Sequence, residues 1–238
     1  MKKLLTLLFV VFAINMAKAQ PWFDIGIKGG IGTSFMYNTQ IFEDQNLNHK
    51  FMLGNTYGGK FGFNLNMQHT ISFDVLKTTL KQKFLYYPET GVEANRQFDI
   101  KSLDYALLYR YTKGGTFFEF GPQLSQVSAV KYADQGGDFI SPFTAAEMIN
   151  KNLYSVVLGY GGYVFGTDNF GVTTGFRVSY NITDIATEAA RGKNFPMLYP
   201  KDADPTHNLA IMFIVEANYD FGYLLSPSCG KRTKLFVF

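Results

Sequence analysis

One stretch, Phe170–Ile182, constrains the fold more than any other part of this sequence. Its even positions are nearly all apolar and include an aromatic residue near each end: Phe170, Val172, Thr174, Phe176, Val178, Tyr180 and Ile182. The odd positions between them are small, polar or charged: Gly171, Thr173, Gly175, Arg177, Ser179 and Asn181. This period of two is typical of a β-strand, and it continues long enough to cross a membrane. Because backbone groups in lipid need hydrogen-bond partners, such a strand predicts a closed barrel.

The same alternation recurs along the chain and predicts an all-β, eight-stranded antiparallel up-and-down transmembrane barrel. The predicted strands are Asp24–Tyr37, Tyr57–Met67, His69–Tyr87, Leu103–Tyr111, Thr116–Tyr132, Leu153–Phe165, Phe170–Ile182 and Leu209–Tyr223. In the third, the apolar residues move from odd to even positions, which predicts a β-bulge near Val75–Leu76 that restores one outer face. In the fifth, we expect Val130 to face outward and Lys131 to face the lumen.

The connections between these strands alternate in length. Three are tight, around Gln68-His69, Lys113-Gly114-Gly115 and Gly166–Asn169. Four are long: Asn38–Thr56, Pro88–Gln97, Ala133–Asn152 and Thr183–Asn208. Bacterial outer-membrane barrels have short periplasmic turns and longer external loops, so this alternation predicts that both termini are periplasmic. A soluble lipocalin-like barrel is the alternative, but its outer face would be rich in Lys and Glu, whereas the polar face here is mainly Gly, Ser, Thr and Asn.

The N-terminus has the pattern of a secretory signal peptide. Lys2 and Lys3 precede the apolar run Leu4–Met16, and Ala17-Lys18-Ala19 forms a small-x-small cleavage site. An uncleaved anchor helix is the alternative. We expect cleavage after Ala19, so residues 1–19 are the signal peptide, 20–225 the outer-membrane barrel domain and 226–238 a short periplasmic tail. The predicted location is therefore the bacterial outer membrane.

Charge and cysteine content exclude several classes of function. The leader contains three of the 22 Lys and Arg residues, so 19 remain to balance 19 Asp and Glu residues. A neutral mature chain gives no indication of nucleic-acid binding. Charged residues make up 17% of the chain, as do aromatic residues, which suits a protein whose surface faces lipid. Cys229 is the only cysteine, so no internal disulfide forms, and we interpret it as a free thiol.

Three segments resemble the PorT-like family of small outer-membrane β-barrel proteins. They are Tyr105–Tyr111, which ends in Arg-Tyr, Phe117–Leu124, which contains Gly-Pro-Gln, and Phe176–Ile185, which contains Tyr-Asn-Ile-Thr-Asp-Ile. The resemblance implies an eight-stranded outer-membrane barrel and implies no enzymatic activity. The founding member is tied to secretion and gliding machinery, but no residue of this sequence carries that role over.

Few residues are candidates for catalysis or metal binding. The chain has three histidines. His69 has Ser72 and Asp74 nearby, but a triad depends on geometry that spacing does not show. His49 and His207 lie in predicted external loops, as do Asp44, Asp202 and Asp204, so a lipid hydrolase, an acyltransferase or a loop metal site is an alternative. The sequence predicts no catalytic residue, no cofactor and no metal ligand, with ordinary polar loops instead.

The lumen is predicted to hold a structural network of charges. Its residues are Lys28, Lys60, Arg110, Arg177, Asp24, Asp74, Asp104, Glu119, Glu216 and Asp220. Eight-stranded barrels are narrow enough for side chains to fill, and buried charges must pair. We therefore expect a salt-bridged plug, with a narrow ion path as the alternative. If Gly114-Gly115 is a two-residue turn, Lys113 faces Thr116 and Arg110 faces Glu119, close enough for a salt bridge.

The predicted function is that of a non-enzymatic, monomeric outer-membrane barrel whose four external loops contact a ligand or protein that the sequence does not identify. The other expected partners are outer-membrane lipid and, during insertion, the barrel-assembly machinery. A small lipid-modifying enzyme that uses loop residues remains the alternative.

Overall fold

The computed structural model describes residues 21–43, 47–87, 94–135, 145–167, 169–190 and 204–221. Its strands are β1 (Trp22–Tyr37), β2 (Leu47–Lys50), β3 (Gly54–Asn64), β4 (His69–Tyr86), β5 (Ala94–Lys113), β6 (Thr116–Gln135), β7 (Asn152–Gly166), β8 (Phe170–Asn181) and β9 (His207–Phe221). Two short helices, α1 (Thr39–Glu43) and α2 (Ala145–Met148), and a 3₁₀ turn (Glu188–Ala190) lie in the long connections. The predicted signal peptide and C-terminal tail lie outside the described residues.

Eight strands form a closed antiparallel ring, as predicted. The order is β4-β3-β1-β9-β8-β7-β6-β5, and pairing of β5 with β4 closes it, while β2 adds only to the far end of β4. The stagger of the ring is found by following paired residues from Lys77 of β4. In one direction Lys77 is opposite Leu103 of β5, which is opposite Gln126 of β6. The opposite route around the ring leads from Lys77 to Thr116 of the same strand. The two routes end ten residues apart, which is the stagger that tilted barrel strands require.

The alternation of short and long connections is also present. Gly114 and Gly115 have φ angles of 59° and 82°, so both adopt the left-handed conformation that a two-residue hairpin turn needs. The second long connection is shorter than predicted, because β4 continues to Tyr86 and β5 already begins at Ala94. These two strands and β6 therefore rise well beyond their neighbours.

The two faces of the barrel are the reverse of those of a soluble protein. Ile27 is 71% exposed on the outer surface and Phe176 is 61% exposed. Lys28, next to Ile27, is 3% exposed, and Arg177, next to Phe176, is 5% exposed. The predicted orientation of β1 and β8 is therefore correct. Within the described residues, no helix is long and apolar enough to cross a membrane.

The predicted bulge near Val75–Leu76 is wrong. β4 pairs with β5 without interruption from His69 to Tyr86, so Leu76, like Phe84, faces inward. The bulge lies in β6 instead, where Lys101 and Ser102 of β5 pair with Ala129 and Val127 and leave Ser128 as the extra residue.

The bulge in β6 also reverses the predicted orientation of two residues. Val130 packs against the buried interior and Lys131 is exposed, because the extra residue shifts the alternation beyond it.

The change of phase in β4 has a different cause from a bulge. Beyond Val75 the strand leaves the apolar band, and its surroundings reverse. Its outward residues become polar, as Lys77 and Lys81 show, while large apolar residues such as Leu80 and Phe84 now point inward. We call residues 76–86, 94–102 and 127–135, together with β2, the extension. The extension has the polar surface and apolar interior of a soluble domain.

Candidate functional site

The lumen contains a layer of eight ionised side chains, which we call the charged layer. Its members are four cations and four anions from seven strands: Asp24, Lys28, Lys60, Asp74, Arg110, Glu119, Arg177 and Glu216. Each occupies an inward position of its strand, so the period of two delivers all of them to one compartment. Every member is buried, with a residue exposure of 7% or less.

Glu216 is the centre of one half of the charged layer. Its carboxylate lies 3.0 Å from Nζ of Lys28 and 3.0 Å from Nζ of Lys60. Arg110 donates two further hydrogen bonds to it, from Nη2 at 2.7 Å and from Nη1 at 2.8 Å. One carboxylate therefore forms ion pairs with three cations. Its bidentate contact with Arg110 is of a kind that is stronger than a hydrogen bond between neutral groups.

Glu119 and Asp74 complete the layer. Glu119 accepts from Arg110 Nη2 at 2.8 Å and from Arg177 Nη2 at 2.6 Å. Asp74 lies 2.6 Å from Lys28 Nζ and 2.9 Å from Arg177 Nη2. Lys60 extends the chain of contacts to Asp24 at 2.9 Å. The network is thus continuous and formally neutral, which reduces the cost of burying charge in a narrow interior.

Small neighbours make room for the network. A Cβ atom on Gly159 would lie 2.6 Å from Cγ of Glu119, and one on Gly62 would overlap the carboxylate of Asp24. On the turn side, the ring of Phe117 lies 4.1 Å from the guanidinium carbon of Arg110. Glycine in these strands therefore serves the packing of lumen carboxylates.

The register predicted for the hairpin of β5 and β6 is observed. Lys113 faces Thr116, and Arg110 faces Glu119. The two side chains point into the barrel and form a salt bridge near its turn end.

Two of the charged residues predicted for the lumen lie outside the layer. Asp104 is buried farther along the lumen and accepts a hydrogen bond from Ser102 at 2.7 Å. Asp220 is only partly buried and lies at the turn end, opposite Asp24 in the pairing of β1 with β9.

A small cavity of about 50 Å³ lies beyond the charged layer. Its wall combines Arg177 with hydroxyl and amide side chains such as Thr78, Gln123 and Asn181, and with apolar residues such as Leu80 and Ile185. Arg177 Nη1 and Asn181 Nδ2 are buried and have no hydrogen-bond partner among the described residues. The volume and the polar wall suit a few water molecules.

An apolar cluster fills the interior at the loop end, and we call it the apolar cap. Its buried members are Met36, Ile41, Leu47, Phe84, Phe98, Ile100, Met148, Ile149, Leu153, Ile185, Ala186 and Ala190. They come from strand ends and from three of the long connections. Backbone bonds tie two of those connections together, since Thr187 N donates to Met148 O at 3.0 Å and Asn150 N to Ile185 O at 2.8 Å. This cap is not among the features predicted from the sequence, although the apolar residues Leu80 and Phe84 at even positions of β4 were a signal for it.

The three histidines occupy separate environments. His69 faces outward and its Nδ1 lies 2.5 Å from the hydroxyl of Tyr109, whereas Ser72 and Asp74 are buried in the lumen. These three side chains therefore do not form a triad.

The two histidines predicted for the loops lie in strands, His49 in β2 and His207 at the start of β9, and they contact different groups. The ring of His49 packs 4.6 Å from that of Phe84, and burial lowers the pKa of His49. Nδ1 of His207 lies 3.0 Å from the backbone oxygen of Asn181. Asp44 and Asp202, proposed as their neighbours, lie outside the described residues, as does Cys229. In the described ranges, no group of three or more His, Cys, Asp or Glu side chains is placed to hold a metal ion.

No family model and no curated protein matches the chain. Among solved structures, the N-terminal β-barrel domain of OprF from Pseudomonas aeruginosa is 12% identical, and the match covers 85% of this chain and 100% of that one with a TM-score of 0.35. The outer membrane protein OprG from the same organism is 8% identical, with coverage of 85% and 98% and a TM-score of 0.37. The outer membrane protease OmpT from Escherichia coli is 12% identical, with coverage of 83% and 97% and a TM-score of 0.35. At these identities the likeness concerns the fold alone.

Proposed function

We propose that this chain is an integral outer-membrane β-barrel whose interior is closed and whose loop end is a contact surface. One observation carries the proposal: a closed eight-stranded ring has an apolar, aromatic outer band and places its charges inside. In water this arrangement would expose a large apolar surface. In lipid the apolar surface is covered, and the closed ring gives the backbone groups of every strand hydrogen-bond partners. Short turns at one end and longer connections at the other support a periplasmic position for the turn end.

Closure of the lumen is the second part of the proposal. An ion entering from the turn end meets the charged layer, in which every member is already paired. Beyond the cavity it would meet the apolar cap, where dehydration opposes its passage. Two barriers of different chemistry in series favour a plug over an ion path.

The proposed role is non-enzymatic. The histidines contact aromatic rings or backbone groups, and the charged layer is occupied by its own ion pairs. We also propose membership of the PorT-like family, on the three segments described above. The loops displayed on the barrel then contact an external ligand or protein, and the mature chain acts as a monomer after insertion by the barrel-assembly machinery.

Fractionation and conductance test the proposal together. The protein expressed at its natural level should be found in the outer membrane and should migrate faster on gels when unheated, because closed barrels resist detergent. In planar bilayers it should conduct no more current than a barrel-free control. Recovery in the soluble periplasm would refute the membrane location, and stable channel openings would refute closure alone.

The surface role needs a separate experiment. An epitope inserted in the connection Thr183–Asn208, on the C-terminal side of the cap residues Ile185, Ala186 and Ala190, should be accessible on intact cells, because long external loops accept insertions. Capture of envelope components through that tag, compared with a tag in the turn at Gly114-Gly115, would identify a partner of the loop end. Reaction of the loop tag only after the outer membrane is opened would show the opposite topology.

A further inference from the structure

The outer face of the extension carries a group of lysines, which we call the lysine patch: Lys50, Lys77, Lys81, Lys83, Lys101 and Lys131. All of them point away from the lumen. On β4 the alternate residues Leu76, Thr78 and Gln82 are buried, so the lysines between them face outward. Lys50 is opposite Lys83 in the pairing of β2 with β4 and lies on the same face.

The lysine patch begins where the apolar band ends. Lys77 is opposite Tyr57 on one side and Leu103 on the other. One step closer to the turn end on the same face, Val75 is opposite Tyr105. Aromatic residues of a barrel mark the level of the lipid headgroups. Lys77 is therefore at the outer headgroup level, and the other five lysines follow it outward.

The patch is strongly cationic. The acidic residue described on the same outer face is Asp99, which is opposite both Lys81 and Lys131 and accepts a hydrogen bond from Gln97 at 3.1 Å. Six lysines thus share this face with one described carboxylate. The patch also lies on one side of the ring, on β2, β4, β5 and β6, while outward residues at the same end of β7 and β8 are Tyr154 and Tyr180.

We propose that the lysine patch binds the phosphate groups of the glycolipid in the outer leaflet. This inference depends on the proposed membrane location. A lysine on a long flexible stem keeps its stem along the apolar surface while its ammonium group reaches a headgroup phosphate. Each basic residue near an anionic lipid surface adds attraction. Because the strands of the extension are rigidly paired, the ammonium groups are presented as a fixed array, which suits a lipid with more than one phosphate.

Lipid binding by purified full-length mature protein tests the inference. The probes are diphosphoryl lipid A and the same lipid without phosphates, offered to the protein in phosphatidylcholine nanodiscs, with bound lipid counted by native mass spectrometry. The variant Lys77→Gln with Lys101→Gln removes the two lysines closest to the headgroup level. The control, Lys113→Gln, removes an exposed lysine at the turn end, at the opposite end of the barrel from the patch.

The expected result is a preference for the diphosphoryl lipid that weakens about tenfold or more in the patch variant and is unchanged in the control variant. The preference should also decline as salt concentration rises. Equal binding of the two lipids, or equal binding by patch and control variants, would overturn the inference. So would binding of a soluble sulfated polysaccharide with no preference for the phosphorylated lipid. Failure of the wild-type protein to enter nanodiscs would instead refute the membrane location.

Discussion

The two ends of the barrel interior are filled in opposite ways. At the turn end, the charged layer pairs four cations with four anions inside an apolar outer surface. At the loop end, the apolar cap lies inside an outer surface that carries the lysine patch. Under the proposed membrane location, the difference follows from the medium outside each end. In lipid the apolar side chains face outward and leave polar groups to the lumen, whereas in water the usual hydrophobic arrangement returns.

A single strand, β4, follows both of these arrangements along its length. β4 pairs with β5 without a bulge, yet its apolar side chains change from the outer face, at Phe73 and Val75, to the inner face, at Leu76 and Leu80. Under the proposed membrane location, the change marks the level at which the strand leaves the lipid. A change of phase in a barrel strand can therefore mark a change of the surrounding medium instead of a bulge.

The largest expected effect is at the turn end. Glu216→Gln removes a carboxylate shared by Lys28, Lys60 and Arg110, and leaves these cations in excess in a buried site. We expect a loss of about 3–5 kcal/mol in the free energy of unfolding. Urea unfolding in lipid vesicles, followed by the fluorescence of the single tryptophan Trp22, measures it.

Glu147→Gln is the matched control, since Glu147 is exposed in α2. A loss for Glu216→Gln no greater than that of the control would mean that the charged layer does not stabilise the barrel.

The second effect concerns the loop end. Phe84 is fully buried and its ring lies 6.0 Å from that of Phe98 in an edge-to-face contact. Phe84→Ala should cost about 3 kcal/mol, because it leaves a cavity in the apolar cap. The cost should be local: the loops and extension should become protease-sensitive while the heat-dependent gel shift of the barrel remains. If the whole barrel lost its gel shift instead, the two ends would form a single cooperative unit.

A smaller effect is expected for the pairing of Arg110 with Glu119. Either single variant, Arg110→Met or Glu119→Gln, leaves an uncompensated charge, whereas the double variant keeps the layer neutral. The double variant should therefore lose less stability than the two singles added together, by about 1–3 kcal/mol. Additive losses in the same urea assay would show that the pair is not coupled.

The smallest effect is a pH dependence of the cap. Burial lowers the pKa of His49, so the unfolded chain binds a proton more readily than the folded one. The contribution of His49 to the free energy of unfolding is therefore complete above its ordinary pKa of about 6.5 and declines as pH falls below that value. Protease sensitivity of the loop end should therefore increase between pH 7.5 and pH 5. His49→Phe should weaken that increase, and an unchanged increase would assign it to another group.

Local pattern predicted most of the fold. The alternation in β1, β3 and β8 and the glycines at Gly114-Gly115 specified the faces, the ring of eight strands and the register that opposes Arg110 to Glu119. These features depend on contacts between neighbours in sequence or across one tight turn, and such contacts have short-range signals.

By itself, the sequence determined which side chains enter the lumen, because a strand alternates its faces wherever it lies. Beyond the pair of Arg110 with Glu119, the tertiary structure alone decided which lumen charges meet. Arg177 reaches Glu119 and Asp74 across the barrel interior, and Glu216 gathers Lys60 from β3 with Arg110 from β5. The tertiary structure also decided the extension and the apolar cap, since Phe84, Met148 and Ile185 come together from distant segments of the chain. Such contacts depend on ring closure and strand stagger, which no local pattern encodes.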